Sequence, residues 1–142
     1  MNAIYNQLCK LVDFPLGSKL IAIIVTKTTK IIERGTHFMR HDLFIAGYGG
    51  QGVLLAGNLL SYAAIHEENN GSFFPAYGVE KRGGAAMCTI VFSKGDTGSP
   101  VVGHPSVSIL LNQLSYDKYA EKVKPGGICI VNSSLVECDN LA

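Results

Sequence analysis

The sequence predicts an α/β domain: a three-layer, Rossmann-like, largely parallel sheet with flanking helices. Three observations predict it. From residue 39 onward, short apolar runs of strand length alternate with longer helical stretches. Glycines punctuate the joints between them. Residues 47–52 read G-x-G-x-x-G, placed after a strand and opening a helix, where that pattern carries structural meaning.

Each element has its own reason. Residues 43–46 form a short apolar run ending at Gly47, which fits a buried strand. Residues 52–66 contain no proline and are apolar on nearly every face, which predicts a helix covered on more than one side. Gly57 within it would let the helix sit close to a neighbouring element. Residues 72–74 are read as a second strand, stopped by Pro75. Residues 86–92 (AMCTIVF) are rich in β-formers and make a third, and residues 107–111 a fourth. Residues 115–122 predict a helix with Ser115 as its N-cap. Pro125, Gly126 and Gly127 then turn the chain into a fifth strand, Ile128–Val131.

Composition divides the 142 residues into two parts. Residues 1–38 hold five Lys/Arg against two acids, a charge of +3, and two of the 16 glycines. Residues 39–142 hold seven bases against nine acids, a charge of −2, and the other fourteen glycines. The first part is expected to be an extension without chemistry-bearing motifs, or an added strand pairing with an edge of the main sheet. The overall charge of +1 offers no general footprint for nucleic acid. The longest apolar run in the first part, residues 20–25, is far short of the ~20 residues of a membrane span. Cys9, Cys88, Cys129 and Cys138 are widely separated, with no C-x-x-C spacing for zinc or an iron–sulfur cluster. The expected location is cytoplasmic, with no membrane partner.

The glycine loop comprises Gly47, Tyr48, Gly49, Gly50, Gln51 and Gly52. Glycines there permit a tight turn and close approach, and amides at a helix start attract anions. A nicotinamide dinucleotide site also wants an acid at the end of the second strand, but that strand ends in Phe73-Phe74-Pro75. Glu67 and Glu68 come too early in the chain. A different phosphate- or carboxylate-bearing ligand, or a turn needed only for packing, both stay open.

A second constellation runs Tyr77-Gly78-Val79-Glu80-Lys81-Arg82-Gly83-Gly84. Its three glycines oppose regular structure, and its charges suit either a solvated loop or a binding loop. In the binding reading, Arg82 grips a carboxylate or phosphate and Glu80 orients it. Asn112 and Asn132 each follow an apolar strand. In an open α/β sheet the carboxyl ends of parallel strands line the ligand crevice, so the glycine loop, Asn112 and Asn132 are expected on one edge. Each asparagine alone is equally suited to capping a helix or forming a turn. None of His37, His41, His66 and His104 is paired with an obvious nucleophile. No catalytic residue is assigned.

Four stretches in unbroken order carry a more specific signal: FIAGYGGQGVLLAGNLL, AYGVEKRGGAAMCTIVFS, ILLNQLSYDKY and KPGGICIVNSS. Together they resemble the gamma subunit, or gamma domain, of the 2-oxoacid:ferredoxin oxidoreductases. The resemblance implies an accessory subunit of a hetero-oligomeric enzyme that oxidatively decarboxylates a 2-oxoacid to acyl-CoA and reduces ferredoxin. It implies alpha and beta partner subunits, with a ferredoxin-like delta subunit as a further candidate. Thiamine diphosphate, iron–sulfur clusters and coenzyme A would belong to the assembled enzyme, with no cofactor or metal bound by this chain alone. Carried onto this sequence, the cofactor-facing positions are Gly47, Gly49, Gly50, Gln51, Gly52, Tyr77, Glu80, Arg82 and Gly83, joined by Asn112 and Asn132. Val79 and Lys81 stand where family members often carry Pro and Met or another apolar residue, which leaves the oxoacid branch open between pyruvate, 2-oxoglutarate, branched-chain acids and indolepyruvate, with 2-oxoglutarate or a branched-chain acid favoured over indolepyruvate. Residues 39–142 are expected to form the gamma domain, incomplete at its C-terminal end. The competing expectation is a free-standing Rossmann-like nucleotide-binding module.

Overall fold

A computed structural model describes residues 40–78 and 84–138. In chain order these form β1 (His41–Tyr48), α1 (Val53–His66), β2 (Asn70–Tyr77), β3 (Ala85–Ser93), β4 (Val107–Leu110), α2 (Gln113–Tyr119) with a 3-10 turn Ala120–Lys122, and β5 (Ile128–Val131). The strands make one sheet in the order β2-β3-β1-β4-β5. β4 pairs in parallel with both β1 and β5. β3 runs antiparallel to both β1 and β2. Four strands therefore share a direction and β3 alone is reversed, the expected α/β class with one inversion inside it.

Alternation along β1 builds the layers. Leu43 and Ile45 face α1 and join Cys88, Ile90, Phe92 and Ile109 beneath Val53, Ala56, Leu60 and Ala64. Phe44 and Ala46 face the other way, toward Leu110, Val131, Val136, Tyr116 and Tyr119. The Phe44 and Tyr119 rings meet at 4.8 Å in a tilted pair, and the Tyr119 hydroxyl donates to Met87 Sδ at 3.6 Å. The result is helix, sheet, helix. At the amino edge, Asp42 Oδ1 accepts from both the amide and the hydroxyl of Ser106, tying β1 to the residue that enters β4.

Two elements, β2 and α2, differ from their sequence expectation. Pro75 does not stop β2, which continues through it to Tyr77 with Pro75 opposite Cys88. β2 is an edge strand, and an edge strand tolerates a residue that cannot donate on its outer side. The second helix is capped by Asn112 rather than Ser115: Asn112 Oδ1 accepts from the Ser115 amide at 2.8 Å, so Ser115 lies inside the first turn. The helix also ends earlier than expected, at Tyr119, with the tighter turn replacing its last residues.

Gly57 performs the role expected of it. A Cβ at that position would lie 2.5 Å from Cys88 Sγ and 2.8 Å from Phe73 Cε2, so the missing methyl sets how closely α1 approaches the sheet. Burial at this contact pushes the Cys88 thiol up to about 12, so it packs as a neutral hydrophobe.

Candidate functional site

The carboxyl ends of β1, β4 and β5 lie along one edge because the three strands are parallel. β2 ends on that same edge, since it runs parallel to β1 across β3. From β1 the chain leaves toward β2, whereas β4 sits on its opposite side. The gap between β1 and β4 is therefore the point where strand order reverses, the usual ligand crevice of an open α/β sheet.

The glycine loop spans that point and is held by its own backbone and by one side chain. The Gly49 amide donates to the Gly84 carbonyl at 2.8 Å, and the Gln51 amide to the Tyr48 carbonyl at 3.1 Å. Gly50 and Gly52 have φ values of 99° and 82°, in the left-handed region that glycine enters without strain. Gln51 folds back across the gap. Its Oε1 accepts from the Tyr48 amide at 2.6 Å and its Nε2 donates to the Leu111 carbonyl at 3.3 Å. One carboxamide thus clamps the end of β1 to the residue after β4. Gly47 makes room for it: a Cβ there would lie 2.6 Å from Gln51 Oε1, 3.0 Å from Leu111 Cβ and 3.1 Å from Val53 Cγ2. The spacing flagged this loop, but the use of glutamine as a clamp needed the position of β4.

α1 begins directly after the loop with Gly52 as its N-cap. No side chain caps it, and its first turn contains no acid. Its leading amides have no partners within the helix, and they favour an anion electrostatically.

Asn112 and Asn132 both arrive on the predicted edge, and both have local work. Asn132 continues the β4–β5 ladder through its amide to the Leu110 carbonyl at 3.1 Å, and its Oδ1 accepts from the Ser134 amide at 3.1 Å. Asn112 caps α2 through Oδ1, but its Nδ2 is buried without a hydrogen-bond partner, in a residue only 3% exposed. A buried donor of this kind calls for an acceptor that the described residues do not supply.

The second constellation begins and ends on the same edge. Tyr77, at the end of β2, pairs with Ala86 and is largely exposed, and the Gly78 amide donates to the Ala85 carbonyl at 3.0 Å. The Gly49–Gly84 bond therefore joins the glycine loop to the far end of this segment. Glu80, Arg82 and Gly83, together with Val79 and Lys81, lie outside the described residues. Among the described residues no cluster of three or more His, Cys, Asp and Glu could hold a metal, and no helix is long and apolar enough to cross a membrane.

The comparisons with known proteins agree with one another. Residues 42–140 match the family described as pyruvate ferredoxin/flavodoxin oxidoreductase. Over 90 residues, 63% of this chain, it is 48% identical to the ketoisovalerate oxidoreductase subunit VorA of Methanothermobacter thermautotrophicus. Over 104 residues, 72% of this chain, it is 36% identical to the 2-oxoglutarate synthase subunit KorC of Methanocaldococcus jannaschii. The matched segments span 19% of the former protein and 56% of the latter. Among solved structures, a keto/oxoacid ferredoxin oxidoreductase gamma subunit from Geobacter sulfurreducens superposes with a TM-score of 0.58 at 33% identity, covering 69% of this chain and 53% of that one.

Proposed function

The chain belongs to the pyruvate ferredoxin/flavodoxin oxidoreductase family, and from that premise we propose that it acts as a gamma-type subunit of a 2-oxoacid:ferredoxin oxidoreductase. In this reading it has no catalytic centre of its own. It assembles with alpha and beta subunits, and with a ferredoxin-like delta subunit where one exists, to support CoA-dependent oxidative decarboxylation with ferredoxin as electron acceptor. Thiamine diphosphate and iron–sulfur clusters belong to those partners. Relatives named for ketoisovalerate and 2-oxoglutarate favour a branched-chain oxoacid or 2-oxoglutarate as substrate. The assembly is placed in the cytoplasm. The domain proper is residues 39–142, and the extension or added strand expected of residues 1–38 lies outside the described residues.

One observation carries the ligand part of the proposal: the uncapped start of α1, the glycine loop and the unpaired Asn112 Nδ2 share the edge where strand order reverses. This donor set fits a phosphate or carbonyl oxygen. Coenzyme A, when bound, supplies the thiol that accepts the acyl group. The residues of this chain would hold its polar portion. Amides at Gly50, Gly52 and the first turn of α1 would face phosphate, with Asn112 donating, Asn132 and Tyr77 bordering the edge, and Arg82, oriented by Glu80 and flanked by Gly83, adding a bidentate charge.

The nucleotide-module alternative is less favoured. In the usual dinucleotide fold the strand after the first helix neighbours β1 and ends in an acid. Here β3 intervenes, β2 ends in Tyr77, and Gln51 bridges the β1–β4 gap.

The proposal is tested by anaerobic co-purification of the tagged chain with identification of its partners, followed by an oxoacid panel on the isolated assembly. Thiamine-dependent partners are expected, along with CoA-dependent turnover of ketoisovalerate or 2-oxoglutarate. A chain that associates with no thiamine-dependent subunit would sink it.

A further inference from the structure

α1 is apolar on two sides, and among the described residues only one of them is packed against the sheet. Val53, Ala56, Gly57, Leu60 and Ala64 are buried against the sheet. On the outside, Leu55, Leu59, Tyr62 and Ile65 recur at helical spacing and are 54%, 41%, 66% and 55% exposed. No charged residue interrupts the helix from Val53 to Ile65. A solvated outer face would ordinarily carry Lys, Glu or Arg.

We infer that the outer face of α1 is a contact surface for the larger catalytic subunit of the same oxidoreductase, meeting an uncharged, apolar groove on it. The inference rests on the subunit reading above and adds the face through which the partner is met.

Three observations favour this occupant. First, the stripe offers hydrophobic and aromatic surface without charge, so its complement must be uncharged too; an acidic or basic groove would lose solvation there without gaining an ion pair. Second, four large side chains about half exposed leave roughly 400–500 Å² of mostly apolar surface. A stable contact between two copies takes about 800 Å² from each, so the stripe suits one part of a larger heteromeric interface better than a symmetric pair of helices. Third, in the ketoisovalerate relative the matched segment occupies only 19% of the polypeptide, so there it is tethered to a much larger body. The stripe also begins one turn from the glycine loop, so a subunit lying on Leu55 would border the candidate ligand edge.

The test is co-expression of the full chain with its alpha and beta subunits, comparing wild type with the double substitution Leu59→Glu and Tyr62→Glu, with Tyr62→Phe as the conservative variant. Wild type and Tyr62→Phe are expected to co-elute with the catalytic subunits, while the double variant binds at least ~10-fold more weakly. The free double variant should melt within about 4 °C of wild type, because both side chains are on the exposed face of the helix rather than against the sheet. If it unfolds instead, the milder pair Leu59→Ser and Tyr62→Ser takes its place with the same expectation. A double variant that co-elutes as tightly as wild type overturns the inference and leaves the subunit reading standing. A wild-type chain that fails to meet the catalytic subunits overturns both. A free wild-type chain that dimerises while the variant is monomeric assigns the face to a second copy and overturns the inference.

Discussion

Replacing Gln51 with alanine removes both ends of one clamp. The Tyr48 amide loses its acceptor at 2.6 Å and the Leu111 carbonyl loses a donor at 3.3 Å. A neutral hydrogen bond contributes a net ~0.5–1.5 kcal/mol. The Tyr48 end is exposed, so water replaces much of it; the Leu111 end is partly buried and costs more. The expected loss is about 1–2 kcal/mol, read as a shift in urea midpoint at unchanged slope. Gln51→Glu sharpens the test. The introduced carboxyl still accepts from Tyr48, but sets its other oxygen against the Leu111 carbonyl, which favours the protonated form in the folded state. A carboxyl whose folded pKa is raised leaves the variant closest to wild type below about pH 4.3, and the deficit grows as pH rises through the folded value. Gly47→Ala probes the same contact from the backbone side, since its Cβ would meet Gln51 Oε1 at 2.6 Å. It should cost about 1 kcal/mol less in the Gln51→Ala background than in wild type. Three results together would refute the clamp: Gln51→Ala indistinguishable from wild type, no pH-dependent gap for Gln51→Glu, and additive behaviour with Gly47→Ala.

Two further predictions concern the packing of the sheet away from that clamp. Gly57→Ala gains ~1 kcal/mol of helix propensity but forces a methyl against Cys88 Sγ and Phe73, with an expected net loss of about 1–2 kcal/mol by denaturant titration. In the Cys88→Ala background the same substitution should cost about 1 kcal/mol less, because only the Phe73 contact then remains; equal costs in both backgrounds would disprove the close approach. His41 stacks on Phe92, and burial holds its pKa below the ordinary value of 6.5, with Lys124 acting in the same direction and Asp42 opposing it. A base with a depressed folded pKa contributes fully above 6.5 and loses that contribution as pH falls from 6.5 toward the folded value. Melting temperature should therefore decline across that window, and His41→Phe should flatten the decline; an unchanged slope would contradict it.

What the sequence disclosed depended on how local each determinant is. β5 was legible to the residue because a proline–glycine turn and an Asn bracket a short apolar run. The helix after the glycine loop was equally plain. β1 runs two residues further at each end than its apolar stretch because its ladder with β3 extends from His41 to Tyr48. Pro75 reads as a strand end in the sequence because edge position, which excuses the proline, is a property of the sheet. The reversed strand β3, lying between β1 and β2, could not be read from strand-forming residues alone, because pairing order is set by long-range contacts. Asn112 lies on the carboxyl edge as expected, and of the roles open to it the structure shows the cap, displacing Ser115, since Asn112 Oδ1 reaches the Ser115 amide. The edge shared by the glycine loop, Asn112 and Asn132 was legible because parallel strands fix it. The carbonyls of Leu111 and Gly84 that hold the loop carry no residue-type signal at all.

The most direct test of the central claim is ferredoxin reduction by anaerobically assembled alpha and beta subunits, measured with and without this chain across CoA concentrations. CoA-dependent reduction with ketoisovalerate or 2-oxoglutarate is expected only when the chain is present. Asn112→Ser, which keeps a helix cap and deletes the unpaired amide donor, should raise the CoA concentration for half-maximal rate by roughly 10-fold with little change in kcat. Equal rates and equal CoA dependence without the chain would contradict the claim.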